Sequence, residues 1–301
     1  ISDTGNVMTF SVKKEFSYEG FPVFTGGKFY GLSPYAGDID GDNKQEIIAV
    51  TKDGKVLGWN GEDGSPVIAN NDSGTIINIR GETIKKKIAL FAMADGNVLL
   101  SPLLEDFNND DKKDVAVITD EGHLFVWEAK DENRDGRADI VFEVRTETIP
   151  TSEIVSFRMD NDKFGIVFGD INGMVYFINN VGNIVKKVQV SSSKINGISL
   201  MGNTLDNIVA VSTDGFIVLM SASGEILWER SESNKNPYIP ACADLDRDGV
   251  QEVVVVDSAG KVIVLDNNGE YKDGFPVVVP YPVLSPPSIG DIDGDLSLIH
   301  I

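Results

Sequence analysis

The chain of 301 residues contains a single cysteine, Cys242, so no disulfide bond can form within it. A lone cysteine on an apolar strand usually contributes to core packing. The chain also has no run of about 18 apolar residues, which a membrane-spanning helix would need. Aromatic residues are scarce at 8%, whereas glycine is plentiful with 30 residues. This composition predicts many short strands that are joined by tight turns.

Positive charge is the other scarcity. The 26 basic residues face 47 acidic ones, which gives a formal net charge of −21. Nucleic acids and anionic membrane surfaces are therefore disfavoured as partners, because their phosphates would be repelled. Cations, or partners bridged by cations, fit better. The alternative is that the acidity only keeps a secreted protein soluble.

One unit recurs along the chain: an apolar strand, a turn of the type Asp-Gly or Asp-x-x-Gly, and a second apolar strand. Such a turn is a strong hairpin signal because glycine accepts the positive φ that the turn needs. The turn glycines are Gly54, Gly122, Gly173, Gly215 and Gly260. The last three intervals, of 51, 42 and 45 residues, match the ~40–50 residues of a four-stranded propeller blade.

The first interval, between Gly54 and Gly122, is longer. We expect a degenerate blade inside it, around Ile76–Ile79, Ile88–Met93 and Asp95-Gly96. Apolar spacing is of period two or continuous, so no helix is predicted. The predicted fold is an all-β propeller of four-stranded antiparallel blades. We count about six blades plus partial blades at both ends, and expect seven in the complete protein.

We expect residues 1–295 to form a single propeller domain that is incomplete at both ends, with any export signal outside this sequence. Residues 296–301 read Leu-Ser-Leu-Ile-His-Ile. They resemble the translation of an adapter used in sequencing libraries, so we interpret them as a non-native tail.

A nine-residue acidic loop is the most specific motif. It has the form Asp-x-Asp/Asn-x-Asp-x-x-x-Asp/Glu and occurs in four complete copies and one that lacks its last position. The copies are Asp38, Asp40, Asp42 and Glu46; Asp106, Asn108, Asp110 and Asp114; Asp131, Asn133, Asp135 and Asp139; Asp244, Asp246, Asp248 and Glu252; and Asp291, Asp293 and Asp295.

This spacing suits calcium, which takes six to eight oxygen ligands. Positions 1, 3 and 5 place three side-chain oxygens inside one tight loop, and the carboxylate at position 9 closes the shell. The position-7 carbonyls can add a further ligand; they belong to Lys44, Lys112, Arg137 and Val250. Position 6 is Asn, Asp or Gly, the types that best tolerate a left-handed backbone.

The alternative interpretation is that the aspartates only cap turns. Turn capping explains one aspartate, but not three or four at a fixed spacing in four places. Without a cation, such carboxylates would repel one another at short range. Oxygen ligands without His or Cys favour calcium over zinc or copper. The loop at Asp131 lies on the second hairpin of its blade, unlike the others.

Catalytic signals are weak. Outside residues 296–301 the only histidine is His123, which we interpret as exposed and incidental. No nucleophile elbow, phosphate loop or zinc signature is present. The three tryptophans, Trp59, Trp127 and Trp228, are interpreted as packing residues. Leu219–Trp228 resembles a quinoprotein-type propeller repeat, which we attribute to convergence between blades.

The segment Gly37-Asp38-Ile39-Asp40-Gly41-Asp42, followed by Glu46–Val50, resembles the FG-GAP/VCBS repeat family; Asp244–Gly249 and Glu252–Val256 echo it. This family includes the head of integrin α chains and many exported bacterial proteins. The resemblance implies a propeller, structural calcium, and an extracellular or cell-surface location. The blades near Asp160 and Asn203 depart from the pattern, so no calcium site is predicted there.

Two functions remain open from the sequence. The first is a calcium-stabilised propeller that binds a protein or glycan ligand as an adhesion or scaffold module. The second is a calcium-dependent polysaccharide lyase or other glycan-active enzyme on the same fold. Such lyases use a Lys or Arg base beside calcium, and no residue stands out as that base. A cleft lined by Arg, Lys and aromatic residues would favour the second function.

Overall fold

The structure is a computed structural model that describes residues 32–69, 73–77, 83–159, 162–202, 207–232 and 236–290. These residues form strands and turns, with no helix among them, as predicted. The strands are β1 Tyr35–Gly37, β2 Glu46–Val50, β3 Lys55–Asn60, β4 Ser73–Ile77, β5 Thr83–Lys87, β6 Leu90–Met93, β7 Leu103–Glu105, β8 Asp114–Ile118, β9 His123–Glu128, β10 Asp139–Arg145, β11 Val155–Arg158, β12 Phe164–Gly169, β13 Met174–Ile178, β14 Ile184–Gln189, β15 Ile195–Met201, β16 Asn207–Ser212, β17 Phe216–Ser221, β18 Ile226–Ser231, β19 Ala241–Ala243, β20 Glu252–Val256, β21 Lys261–Leu265 and β22 Val277–Val278.

Five antiparallel four-stranded sheets make up this part of the chain. We call them blades one to five; they contain β1-β2-β3-β6, β7 to β10, β11 to β14, β15 to β18 and β19 to β22. The first strand of each blade contacts the first strand of the next, in the order β1, β7, β11, β15 and β19. Blades that meet side by side through their first strands form a β-propeller. The predicted fold class is therefore confirmed.

The prediction of a degenerate blade between Gly54 and Gly122 is wrong. Residues 90–93 form β6, which pairs with β3 and completes blade one as its fourth strand. Strands β4 and β5 pair only with each other, in a two-stranded hairpin inserted between β3 and β6. The long interval is therefore an insertion within one blade and not an additional blade.

Each interface between neighbouring blades has its own apolar core. Val50, Val56 and Phe91 of blade one pack with Val115 and Val117 of blade two. Similar clusters join blades two and three, three and four, and four and five. The second and third strands of blades two to four lie between two neighbouring blades, which explains why their sequences are continuous apolar runs.

The tryptophans are packing residues, as predicted. Trp59 and Trp127 are buried, and Trp228 packs against the core between blades four and five. Cys242 packs against the same core. Burial raises the pKa of its thiol to about 12. Little of the thiolate is therefore present at neutral pH, and because the thiolate is the nucleophile, the residue is unreactive.

The five turn glycines all have positive φ, between 76° and 94°. Gly122 shows why the position needs glycine. A Cβ there would lie 2.3 Å from the carbonyl oxygen of Thr148. The carbonyl of Gly122 also accepts a hydrogen bond from the Thr146 amide. Equivalent bonds reach the turn glycines of the other four blades, so each turn closes against the segment that leaves the fourth strand.

Candidate metal centres

The four complete acidic loops lie at one end of the propeller. Three of them connect the first and second strands of a blade, and the loop that begins at Asp131 connects the third and fourth strands of blade two. Because neighbouring strands are antiparallel, both kinds of connection lie at the same end of a blade. We call this end the loop face, and the opposite end, which carries the glycine turns, the hairpin face.

Four hydrogen bonds from backbone amides to side chains define each loop. Position 1 accepts from the amide of position 6, position 3 from position 5, position 5 from position 7, and position 9 from position 2. In blade one the acceptor and donor pairs are Asp38 with Asn43 at 2.8 Å, Asp40 with Asp42 at 3.1 Å, Asp42 with Lys44 at 2.8 Å, and Glu46 with Ile39 at 2.9 Å.

The same four bonds recur in the other three loops, with distances from 2.8 to 3.2 Å. Positions 4 and 6 have positive φ in every loop. They are Gly41 and Asn43, Asn109 and Asp111, Arg134 and Gly136, and Arg247 and Gly249. The left-handed position 6 is confirmed. The left-handed position 4 was not predicted, since arginine gives no signal for it.

Two loops bring three carboxylates together. One oxygen from each of Asp38, Asp40 and Asp42 lies within 4.8 Å of the others. Asp244, Asp246 and Asp248 form the corresponding group in blade five. In the other two loops position 3 is Asn108 or Asn133, so the side-chain oxygen at position 3 belongs to an amide and not to a carboxylate.

Glu46 closes the loop in blade one. It is fully buried, and its Oε1 atom has no hydrogen-bond partner in the described part of the chain. Burial, together with the nearby carboxylates of Asp40, Asp42 and Asp38, raises its pKa despite the bond from Ile39. A buried carboxylate oxygen without a partner is costly. A cation coordinated by Oε1 would remove that cost.

A cavity of about 220 Å³ opens beside this loop. Its lining includes the carboxylates of Asp42, Glu46, Glu62 and Asp63 and the ammonium of Lys44. Lys44 pairs with Glu62 at 2.7 Å and lies 3.7 Å from Asp42. Negative charge exceeds positive charge in this cavity, which favours a cation there.

The loop at Asp106 ends in a buried aspartate. Burial raises the pKa of Asp114 to about 7, against the bonds from Phe107 and Asn108, and the charges of Asp110 and Asp106 add to the rise. Without a cation, this carboxyl group therefore holds a proton in part of the molecules near neutral pH. A divalent cation would favour its ionised form.

The loop in blade five differs from that in blade one. Asp244 Oδ1 is buried and without a partner among the described residues. However, Lys272 Nζ donates to Glu252 Oε1 at 3.0 Å and also to Asp246 Oδ2. These bonds raise the pKa of Lys272 and keep its side chain cationic. Sequence reasoning missed this lysine because it lies far from the loop along the chain.

Glu46 Oε1 and Asp244 Oδ1, the two buried side-chain oxygens that lack a partner among the described residues, fit a cation bound by the loop residues. Asp291, Asp293 and Asp295 lie outside the described residues, as does the tail at 296–301. Asp160 and Asn203 also lie outside them, so the expected absence of a calcium site near these two residues stays a prediction.

The prediction that His123 is exposed is wrong. The side chain is buried on β9, where its ring packs against that of Phe125 at a tilt of 41°, with centroids 3.8 Å apart. Nδ1 lies 2.8 Å from Asp95 Oδ1, and Nε2 lies 3.3 Å from Glu143 Oε2. Asp95 follows the last strand of blade one, so the histidine joins two blades. Sequence alone does not show that the segment after β6 covers this position.

A cleft of about 390 Å³ lies on the hairpin face between blades four and five. Its lining residues are Lys194, Asn196, Asn236, Pro237, Tyr238, Ile239 and Pro286. None of them is acidic, although the chain carries a net charge of −21. In the described part of the chain, the exposed ammonium of Lys194 pairs with no carboxylate. This cleft therefore presents a cation beside apolar surface.

Two polar groups of the cleft are held in place. Asn196 Nδ2 donates to the Pro237 carbonyl at 2.9 Å, while Asn196 Oδ1 accepts from Thr213 at 2.9 Å. The Tyr238 hydroxyl donates to the Val283 carbonyl at 2.8 Å. The tyrosine ring and the Asn196 amide are thus preorganised next to Lys194. Such a fixed arrangement lowers the entropic cost of binding a ligand.

The fold and the loops define a β-propeller with acidic loops on one face. A family model described as the lambda-carrageenase β-propeller domain matches residues 207–277, from blade four into blade five. No curated protein sequence matches the chain. Among the described residues, no helix has the length and apolar character that crossing a membrane requires.

Several solved structures are also similar to this chain. BBS1N, in a complex with ARL6DN that was soaked with lead, has a TM-score of 0.47 and 15% identity, with 87% of this chain and 86% of that chain covered. The mercury-soaked form gives 0.49 and 13% over the same shares. BamB from Moraxella catarrhalis gives 0.42 and 15%, with 86% and 79% covered.

Proposed function

We propose that this β-propeller binds calcium through the loops on its loop face and that the ions stabilise the blades. The observation that carries the proposal is Glu46 Oε1, a buried carboxylate oxygen that has no hydrogen-bond partner among the described residues and lies in the loop that holds the carboxylates of Asp38, Asp40 and Asp42. The ligands are hard oxygens, which suit calcium. The bound ions would cancel the repulsion among carboxylates that the repeated hydrogen bonds hold close together.

Calcium should therefore raise the stability of the protein. An ion that binds only the folded state at 100 times its Kd adds about 2.7 kcal/mol, which corresponds to several degrees in melting temperature for a domain of this size. Thermal melts with chelator, with calcium and with magnesium would test this, together with calorimetric titration. Identical melting curves in chelator and in calcium would contradict the proposal.

We further propose that the propeller is exported and serves as a binding or scaffold module, in the manner of the FG-GAP/VCBS repeats that its loops resemble. Extracellular modules use calcium sites of this oxygen-rich kind because calcium is plentiful outside cells. In such a module the loop face stabilises the fold, so a protein or glycan ligand would bind elsewhere. Immunolabelling of intact and permeabilised cells would test the location, and signal only after permeabilisation would contradict export.

A glycan-active protein is the second candidate. Two observations favour it: the cationic cleft at Lys194 and the similarity of residues 207–277 to the propeller domain of a lambda-carrageenase. An ammonium beside a tyrosine ring and proline surfaces can hold an acidic group and the apolar face of a sugar. The cleft is the site at which such a ligand would be expected.

Binding and turnover assays on acidic polysaccharides would separate the two candidates. If the cleft binds them, Lys194→Ala should weaken binding, while Lys186→Ala should not, since Lys186 is exposed on β14 outside the cleft. Sustained release of new chain ends would establish an enzyme. Binding without release would leave a recognition module, and equal losses in both variants would point to nonspecific charge attraction.

A further inference from the structure

The closing glutamates of the loops in blades one and five have different surroundings. Both are buried, and both accept a hydrogen bond from the amide of position 2 through Oε2. The other oxygen differs. Glu46 Oε1 has no partner among the described residues, whereas Glu252 Oε1 accepts from Lys272 Nζ at 3.0 Å. Two loops with the same carboxylate pattern therefore differ in their local charge.

Lys272 reaches the loop from the segment between β21 and β22, which lies on the same face. Its backbone is fixed, since its amide donates to the Val264 carbonyl at 3.0 Å and its carbonyl accepts from Phe275 at 3.1 Å. From there the ammonium bonds to Asp246 as well as to Glu252. Both partners are carboxylates that a calcium ion in this loop would need.

We propose that Lys272 is a built-in competitor for calcium at blade five, so that the Asp38 loop binds calcium at lower concentrations than the Asp244 loop. The inference rests on the calcium binding proposed above. The ammonium neutralises part of the loop without a metal ion, and it must leave Asp246 and Glu252 before both can coordinate calcium. Blade five then keeps its fold at low calcium, while blade one depends on the ion.

The geometry indicates a weakened site and not a closed one. Asp244 Oδ1 still has no hydrogen-bond partner in the part of the chain that the structure describes, so the lysine does not satisfy the whole loop. Beside it lies a cleft of about 460 Å³ lined by Val264, Tyr271, Asp273 and Phe275, and by Lys272 itself. This space can receive the lysine side chain once calcium displaces it.

The test is a calcium titration of the full chain by calorimetry, with wild type compared to Lys272→Met. Losing a charge-assisted competitor should raise the affinity of one site by roughly tenfold or more. The calcium-free melting temperature should fall, because the carboxylates then lack their internal cation. Adding Asp248→Asn should abolish the gain, because that variant removes a carboxylate of the same loop that Lys272 does not contact.

Lys55→Met is a matched control. Lys55 pairs with Asp53 outside the acidic loops, and its side chain is 24% exposed, against 26% for Lys272. Lys55→Met should change the calcium affinity of neither the Asp38 loop nor the Asp244 loop. If Lys272→Met folds poorly, as judged by its melting curve, Lys272→Gln provides the same comparison with a polar side chain.

The outcomes distinguish failure of the Lys272 competitor from failure of the proposed calcium binding. Calcium affinity that falls at one site in Asp40→Asn but is unchanged in Lys272→Met would overturn the competitor and leave the proposed function standing. Absence of calcium binding in both wild type and Lys272→Met would defeat the proposed function and this inference together. A gain in affinity that survives Asp248→Asn would place the effect outside the blade-five loop and also overturn the inference.

Discussion

Replacement of Asp40 by asparagine removes one charge from the blade-one loop and leaves its hydrogen bond possible. Asp40 Oδ1 accepts from the Asp42 amide at 3.1 Å. Asn108 makes the equivalent bond at 3.1 Å, and Asn133 makes it at 2.8 Å. Since two loops of this protein already have asparagine at position 3, Asp40→Asn should fold as the wild type does. Its effect should therefore be confined to cation binding.

The magnitude follows from charge and distance. The oxygens of the three aspartates lie within 4.8 Å of one another, so an ion among them is in direct contact with each carboxylate. A divalent ion about 4 Å from a carboxylate charge gains about 2 kcal/mol even at the dielectric constant of water. Loss of that attraction should weaken calcium binding at this site by about 30-fold.

Calorimetric titration and thermal melts in calcium and in chelator would measure the effect. Glu121→Gln is the control, because Glu121 is an exposed carboxylate in the hairpin turn of blade two, on the opposite face. Asp40→Asn should lose part of the calcium-dependent rise in melting temperature, and the control should lose none. Equal calcium affinity in Asp40→Asn and wild type would refute the assignment of Asp40 as a ligand. An equal loss in the control would indicate a general charge effect.

Two further predictions concern the blades themselves. Gly122→Ala should lower the free energy of unfolding by about 1–3 kcal/mol, because its Cβ would lie 2.3 Å from Thr148 O at a φ of 77°. Urea unfolding measures this loss of stability, and an unchanged unfolding midpoint would contradict the prediction. Glu232 is buried but accepts from Lys261, Arg230 and a tyrosine, which hold its pKa below the usual range. The stabilisation by Glu232 is present above its unfolded pKa of about 4.3 and is lost as pH falls through the lower folded pKa. Glu232→Gln should lower the free energy of unfolding by about 3 kcal/mol at pH 7 and reduce the loss of stability in acid. Curves of stability against pH that run parallel in the variant and the wild type would contradict the assignment.

The strand pattern of the five blades could be predicted because each hairpin is encoded locally. The signal is an Asp-Gly type of turn between two apolar runs, and all five turn glycines have the positive φ that it requires. The same local signal led to the wrong blade count between Gly54 and Gly122, because the inserted hairpin of β4 and β5 also consists of apolar runs around a turn. Apolar runs and turns show that strands exist, but which strand pairs with β3 is decided by contacts between distant residues.

The acidic loops were predictable in part. Their side chains accept hydrogen bonds within nine residues, so the spacing alone indicates the loop. The left-handed φ values of Arg134 and Arg247 could not be read from the sequence; the surrounding bonds impose them on a residue type that rarely adopts them. Lys272 and the burial of His123 depend on packing between segments that are far apart in the chain, for which one sequence offers no local signal.

Separation of the two faces follows from strand direction and bears on where a ligand binds. The first-to-second and third-to-fourth connections that hold the complete acidic loops lie on the loop face, where their carboxylates already accept hydrogen bonds from backbone amides and would coordinate cations. The hairpin face carries the cleft at Lys194, whose ammonium has no carboxylate partner among the described residues. An anionic ligand would meet strong repulsion on the loop face unless calcium bridged it. Calcium that stabilises the loops should therefore leave binding in the cleft unchanged, while direct bridging would make such binding disappear in chelator. Polysaccharide binding measured at a temperature where the calcium-free protein stays folded distinguishes these two arrangements.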